Sequence, residues 1–405
     1  MRIKRLGIAI AAISICQFIL WGTIYSSFTL FIDPIHRELG WGKTFIVTSF
    51  SIALGVSGLC AIPIGKWVDR WGGFFPLSVG AALSSVLLLA LSVNENPMIF
   101  AVAWIGLGVA MAAVLSQTAY AVFVQMGMEI GRKAILYCSL GTAASGAVFL
   151  PLCSYLIAEF GWRDSLRVLA ALNLLCAALH LAYVPRRHPD FIAADSSSRP
   201  PRSPLLARNR QLLLMLAAFG TNSAISAVLA VQLVPLLLWG NYSMHESVLT
   251  AALVGPAQIL IRVLMVGRLS QKISYYGLGV CAMGFQAISL IALSVCIAFS
   301  PGTTLLYIFS ILNGLSLGAG LISRALITTE FFEAQAYGAA QGYIQSATML
   351  ARAVAPAFFA FIMNSLEVGL SLYFLLTLGA ISFLSMAMLK GKIFPALTPA
   401  SVDTN

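Results

Sequence analysis

Apolar residues run through this chain in long unbroken stretches. Bounded by Gly, Pro, Asn or charged residues, they cover 6–31, 44–64, 74–93, 98–124, 134–157, 166–184, 212–239, 248–266, 278–299, 304–327, 337–363 and 370–389. Each is close to the roughly 20 residues that carry a helix across a bilayer core. The strands of a membrane barrel would alternate apolar and polar positions over about ten residues, and these stretches do not. The pattern predicts an all-α membrane protein with twelve transmembrane helices.

Composition narrows the classes further. Of 405 residues 60% are apolar and only 9% charged, against roughly a quarter charged in soluble domains, which excludes a water-soluble enzyme and a disordered chain. Cys16, Cys60, Cys138, Cys153, Cys176, Cys281 and Cys296 fall within apolar stretches without CxxC spacing; they read as small packing residues rather than as a zinc site or a disulfide framework. No P-loop, HExxH, GxSxG or nucleotide fingerprint is present, so neither a cofactor nor a metal is expected, and the chain is not expected to be an enzyme.

Charge sets the orientation. The first stretch follows Arg2, Lys4 and Arg5 like a signal peptide, but it is too long and lacks a small-residue cleavage site, so it is expected to stay as a span. Of the 24 Lys and Arg, only Arg37, Lys43, Arg163 and Arg167 fall on the far side and Arg262, Arg324 and Arg352 lie within spans; all others sit on the side of the N-terminus. By the positive-inside rule both termini are expected in the cytoplasm, in a bacterial-type inner membrane. The net charge of +10 follows from this topology and needs no nucleic-acid partner.

Residues 185–210, rich in Pro, Ser and Arg, are too polar to span and too few for a domain, and read as a cytoplasmic tether. The expected organisation is a six-helix bundle at 1–184, the linker at 185–210, a second six-helix bundle at 211–392 and a tail at 393–405. An internal repeat supports two pseudo-symmetric halves: Gly65-Lys66-Trp67-Val68-Asp69-Arg70-Trp71-Gly72-Gly73 follows the second stretch, and Gly267-Arg268-Leu269-Ser270-Gln271-Lys272 follows the eighth, half a chain later. A parallel repeat of this kind places a solute site between the halves near the midplane.

The Gly-x-x-x-Asp-Arg-x-Gly loop between the second and third spans resembles the signature loop of the major facilitator superfamily, and with twelve spans and a central linker the resemblance covers the whole chain. It implies the major facilitator fold and secondary transport by alternating access. Gly65 lets neighbouring helix ends approach, and Asp69 and Arg70 are suited to charge-assisted contacts across the cytoplasmic seam, a latch on one conformational state. Gln271 stands where the second copy usually has Asp, so its latch is expected to be weaker. Gly40-Trp41, Gly161-Trp162-Arg163 and Gly255-Pro256-Ala257-Gln258 with Arg262 resemble the monocarboxylate-porter-like branch. That resemblance implies that Arg262 faces the central cavity and pairs with a substrate carboxylate; the branch's acidic residue one turn earlier is Gln258 here. The fifth stretch matches the drug–proton antiporter pattern poorly.

Arginines in apolar helices must face protein or water, since an unpaired charge in hydrocarbon costs roughly 2.5–3.5 kcal/mol. Arg262 shares a helix face with Gln258, and its fork suits a planar carboxylate; snorkelling to the cytoplasmic end is the competing role. Arg324 is a candidate at the inner mouth, and Arg352 is a candidate either for substrate or for backbone carbonyls. All 14 acidic residues fall at loops or helix ends; Asp33, just before Pro34, is the best coupling candidate, against a plain helix-terminating role. His36, His180, His188 and His245 read as solvated or interfacial. Gln17, Trp21 and Tyr25 form one stripe at spacing four, and with Gln117, Tyr120, Asn222, Ser226 and Asn313 they suit a partly apolar solute with a few polar handles, or serve as helix–helix glue. Trp41, Trp162 and Trp239 read as interfacial anchors, and the GxxxG at Gly314 and Gly318 as packing within a bundle. The expected function is a secondary transporter, acting as a monomer in the lipid bilayer, for a small organic anion such as a monocarboxylate, with protons as a candidate coupling ion. Efflux of a neutral toxicant or drug, including arsenite-like species, is the same-fold alternative, and a non-transporting membrane receptor the alternative from another class.

Overall fold

A computed structural model describes residues 2–186, 210–266, 273–299, 302–365 and 368–389. The described residues form helices joined by short turns: α1 (Arg2–Trp21), a π-helical turn (Gly22–Ser26), α2 (Phe28–Leu39), α3 (Lys43–Trp71), α4 (Phe74–Val93), α5 (Pro97–Val114), α6 (Ser116–Gln125), α7 (Met128–Tyr183), α8 (Arg210–Trp239), α9 (Met244–Val266), α10 (Tyr275–Phe299), α11 (Thr303–Phe331), α12 (Tyr337–Ser365) and α13 (Val368–Ala387). Eleven helical segments among them are long and apolar enough to cross a membrane.

The expected count of twelve separates from eleven at one residue. The stretches predicted at 134–157 and 166–184 are the two arms of α7, which turns back on itself at Gly161 (φ 78°, ψ 167°) without a loop. That conformation is open to glycine and strongly disfavoured for any side chain. Its arms cross separately: Met128 begins beside α6, Trp162 reaches Glu38 at the end of α2, and the last turn returns to Leu77 at the start of α4.

Two further departures concern the first and fourth stretches. The first span does not stop near Asp33-Pro34; it passes through the π turn and runs as α2 to Leu39, where Gly40 ends it in the left-handed region (φ 70°). Asp33 therefore does not terminate the helix. The stretch 98–124 is broken at Leu115 (ψ 176°) into α5 and α6, although no Pro or Gly stands there. Side chains take up the carbonyls at the break: Gln17 Nε2 donates to Val114 O (2.5 Å) and Thr118 Oγ1 to Ala112 O (3.2 Å). This satisfies groups that hydrocarbon leaves unpaired.

The halves on either side of the linker meet chiefly where α3 lies antiparallel to α12. The approach is close enough that a Cβ at Gly342 would stand 2.5 Å from Ala61 O, and one at Gly58 would stand 3.0 Å from Met349 Cβ; a Cβ at Gly65 would overlap the Gly338 carbonyl. A shared apolar cluster seals the same region, joining Ile13, Val68, Phe123 and Cys138 to Ile261, Met265, Ile322, Leu326 and Tyr337. Gly314 and Gly318 seat α11 on α9 within the second half, against Val254, Ala257, Gln258 and Ile261. Two residues read as interfacial are interior instead. Trp162 is buried and donates to Glu38 Oε2 (2.5 Å), with Arg163 bonded to Glu38, Ser92 O and Asn94 O beside it. His180 is buried against Leu77 O (3.0 Å). Residues 187–209 of the linker, the tail and the second copy of the loop motif, with Gln271, lie outside the described residues.

Candidate functional site

The basic face, where the N-terminus and the loop 72–73 lie, holds the halves together through helix ends. Asp69, in the last turn of α3, accepts from Gly338 N (2.7 Å) and Ala339 N (2.6 Å) in the first turn of α12. First-turn amides have no acceptor within their own helix, and the positive end of the helix dipole favours a carboxylate there. Arg132, at the start of α7, answers with the opposite sign. Its Nε donates to Thr329 Oγ1 (2.9 Å) and its Nη2 to Thr329 O (3.2 Å) in the last turn of α11, where orphan carbonyls suit a cation. The connection between α11 and α12 is thus clasped by a carboxylate and a guanidinium of the other half, each matched to the helix end it touches. Arg70 does not cross the seam; its guanidinium lies over the Trp71 ring (5.1 Å).

Deeper in the seam, Arg262 is 3% exposed and donates through Nη1 to Ser139 O of α7 (2.9 Å); its Nε has no partner. It neither snorkels nor meets Gln258, which is half-buried on the same helix without a hydrogen bond to it. Arg352 on α12 is half-buried and donates to the Tyr25 hydroxyl (3.1 Å), again across the seam and again with an unpartnered Nε. Arg324 on α11 donates to Thr348 Oγ1 (3.4 Å) and stands within electrostatic reach of Arg262, Arg352 and Tyr120. Tyr25 and Arg352 lie near the middle of their spans, and among the described residues no hydrogen bond joins the halves beyond that depth toward the far face.

The stripe on the first span turns inward as one unit. Gln17 is buried and tied to Val114 O, Trp21 Nε1 donates to Ser116 Oγ (2.8 Å), and Trp21 and Tyr25 meet edge to face (4.9 Å). Gln117 and Tyr120 on α6 are buried, and the Gln117 amide nitrogen has no partner. On the other half Asn222 (α8) and Asn313 (α11) are buried with unpartnered Oδ1 atoms. Asp33 stands apart from all of these, paired with Lys43 (2.5 Å) at the exposed far end of α2. The sequence reading missed Arg132, Thr329, Ser116 and Ser139. The run Ser116-Gln117-Thr118 within an apolar stretch was the one signal for the break; the partners of Arg132 and Arg262 come from distant helices and leave no local trace.

The family model of the Major Facilitator Superfamily matches residues 13–295. Among solved structures, the chain resembles the proton:xylose symporter XylE bound to 6-bromo-6-deoxy-D-glucose (TM-score 0.74, 13% identity, 96% of this chain and 97% of that one). It also resembles a variant of the E. coli fucose:proton symporter FucP (TM-score 0.71, 13% identity, 94% and 98%). No curated protein matches in sequence. With the family match spanning well over half its length and the same fold found end to end, the chain belongs to the major facilitator superfamily.

Proposed function

We propose that this chain is a secondary transporter of a small organic anion, which it moves by rocking its two halves about the site between them. One observation carries the reading: Arg262 is a buried guanidinium at the seam whose only hydrogen-bond partner among the described residues is a neutral carbonyl of the opposite half. A charge held this way is underpaired, and an anion arriving between the halves supplies the missing partner. Gln17, Trp21, Tyr25, Gln117, Tyr120, Asn222, Asn313 and Arg324 form the surrounding wall. Gly65 and Asp69 serve as the latch of the state closed on the basic face, which the positive-inside rule assigns to the cytoplasm of a cell with an inner membrane. Asp33, the coupling candidate, is paired with Lys43 away from the seam.

The test is uptake into proteoliposomes of labelled carboxylates, sugars and trivalent arsenic, with and without a proton gradient. Carboxylate uptake that Arg262→Lys impairs, because a point charge replaces a two-pronged fork, supports the reading. Uptake of neutral solutes only, or a lysine variant with unchanged affinity for the carboxylate, rejects it.

A further inference from the structure

Three arginines stand at or beside the seam on three different helices of the second half: Arg262 on α9 and Arg352 on α12 reach across it to Ser139 and Tyr25, and Arg324 on α11 bonds to Thr348 of its own half. Arg324 is the member within electrostatic reach of both others. A guanidinium carries five N–H donors. Each of these three spends one on a neutral oxygen, of Ser139, Thr348 and Tyr25 respectively, and the Nε atoms of Arg262 and Arg352 have no partner.

No carboxylate answers them. Among the described residues every ion pair lies elsewhere: Asp33 with Lys43, Glu129 with Lys133, Glu38 and Glu95 with Arg163, and Asp164 with Arg167. Asp69 and Glu330, each in the last turn of its helix, are engaged by backbone amides, of Gly338 and Ala339 and of Tyr275 and Tyr276. Among the described residues, three like charges with spare donors thus stand near the seam with no carboxylate bonded to any of them.

We infer that the solute is a small dicarboxylate, held by Arg262 at one end and Arg352 at the other with Arg324 between them. This rests on the organic-anion reading above and fixes its substrate class. The charge arithmetic favours two negative groups over one: a monocarboxylate leaves two of the three guanidiniums without a counter-charge, a dicarboxylate only one. The layout favours two separated groups over a single compact dianion. Arg262 and Arg352 tether different helices of the opposite half, α7 at Ser139 and the first span at Tyr25, so the two guanidiniums sit at separate points of the seam. Each neutral tether is a weak bond that a carboxylate displaces, because hydrogen bonds between charged partners are roughly twice as strong. Occupation of both ends thus releases two bonds that join the halves in the empty protein.

The experiment measures binding to the purified full chain by titration calorimetry with succinate, with butyrate as the matched monocarboxylate, and with inorganic phosphate and glucose as further probes, each titrated separately. Succinate is expected to bind at least tenfold tighter than butyrate. Arg352→Gln is expected to collapse that ratio toward one, and Arg352→Lys to retain part of it. Equal affinity for succinate and butyrate in the unmodified protein overturns the inference while leaving the organic-anion reading intact. So does phosphate binding tighter than succinate, which would mark one compact dianion pocket. Glucose binding with no affinity for any of the anions overturns both. The ratio in the unmodified protein decides the matter even where a variant fails to fold.

Discussion

Replacing Asp69 by asparagine tests how much of the seam hangs on one carboxylate. The change keeps the shape and one acceptor oxygen but puts an NH2 where Oδ2 now meets Ala339 N, and removes the charge from the N-terminus of α12. A hydrogen bond to a charged acceptor is worth about 1.5–3 kcal/mol net, and a charge on a helix end about 0.3–1 kcal/mol. Allowing for the desolvation that the half-buried carboxylate itself bears, the loss comes to about 2 kcal/mol, or roughly 30-fold in the equilibrium between closed and open basic face. Gly338 and Ala339 report it directly. Their amides lie in the first turn of α12 and have no acceptor other than Asp69, so hydrogen exchange in the peptide containing them should quicken about 30-fold in Asp69→Asn while the middle of α12 stays protected. Exchange unchanged at those two amides, with normal protein abundance, would show that the contact is an incidental neighbour of a turn and carries no closure energy.

Other expectations follow from the same geometry. Arg132→Gln removes the cation from the C-terminal turn of α11 and should open the basic face by about 1.5 kcal/mol, near tenfold, read by labelling of a cysteine placed in the seam. Gly338→Ala sets a Cβ 2.5 Å from the Asp69 carboxylate and 2.7 Å from Gly65 O, so it should weaken closure more than Asp69→Asn does in the same exchange assay. Glu38→Gln removes the shorter of the two ion pairs of Arg163, leaving the one to Glu95, and weakens the Trp162 bond; the melting temperature in detergent should fall by a few degrees while the exchange of Gly338 and Ala339 is unaffected.

The hydropathy of the chain was enough to read the spans, because bilayer thickness imposes their length whatever they pack against. At Gly65 and Asp69 the sequence offered only a short connection, in which a carboxylate has few places to go; the amides of Gly338 and Ala339 that Asp69 meets belong to a helix some 270 residues away. What was lost is rotational position and partner. The sequence says how deep Trp162 and His180 sit along their helices, but not that each faces the bundle, since the deciding groups, Glu38 and the Leu77 carbonyl, are more than a hundred residues away. The break at Leu115 escaped because hydrogen bonds from Gln17 and Thr118 stabilise it without proline or glycine. Gly161 was marked as a boundary, yet nothing local announces that one residue can do the work of a whole loop. The arginines were recognised as costly, and their convergence was not visible, since it depends on how α9, α11 and α12 turn toward one another.

The glycine-lined contact between α3 and α12 has a mechanical consequence. Gly58, Ala61 and Gly65 on one helix meet Ser346, Gly342 and Gly338 on the other, about one turn apart at each step, so backbone rests on backbone with little side chain interleaved. Interlocked side chains would have to climb out of their sockets before the helices could shift. A smooth track of this kind acts as a plain bearing: it permits sliding and tilt with little resistance, and leaves the charged clasps at its end to decide when movement begins.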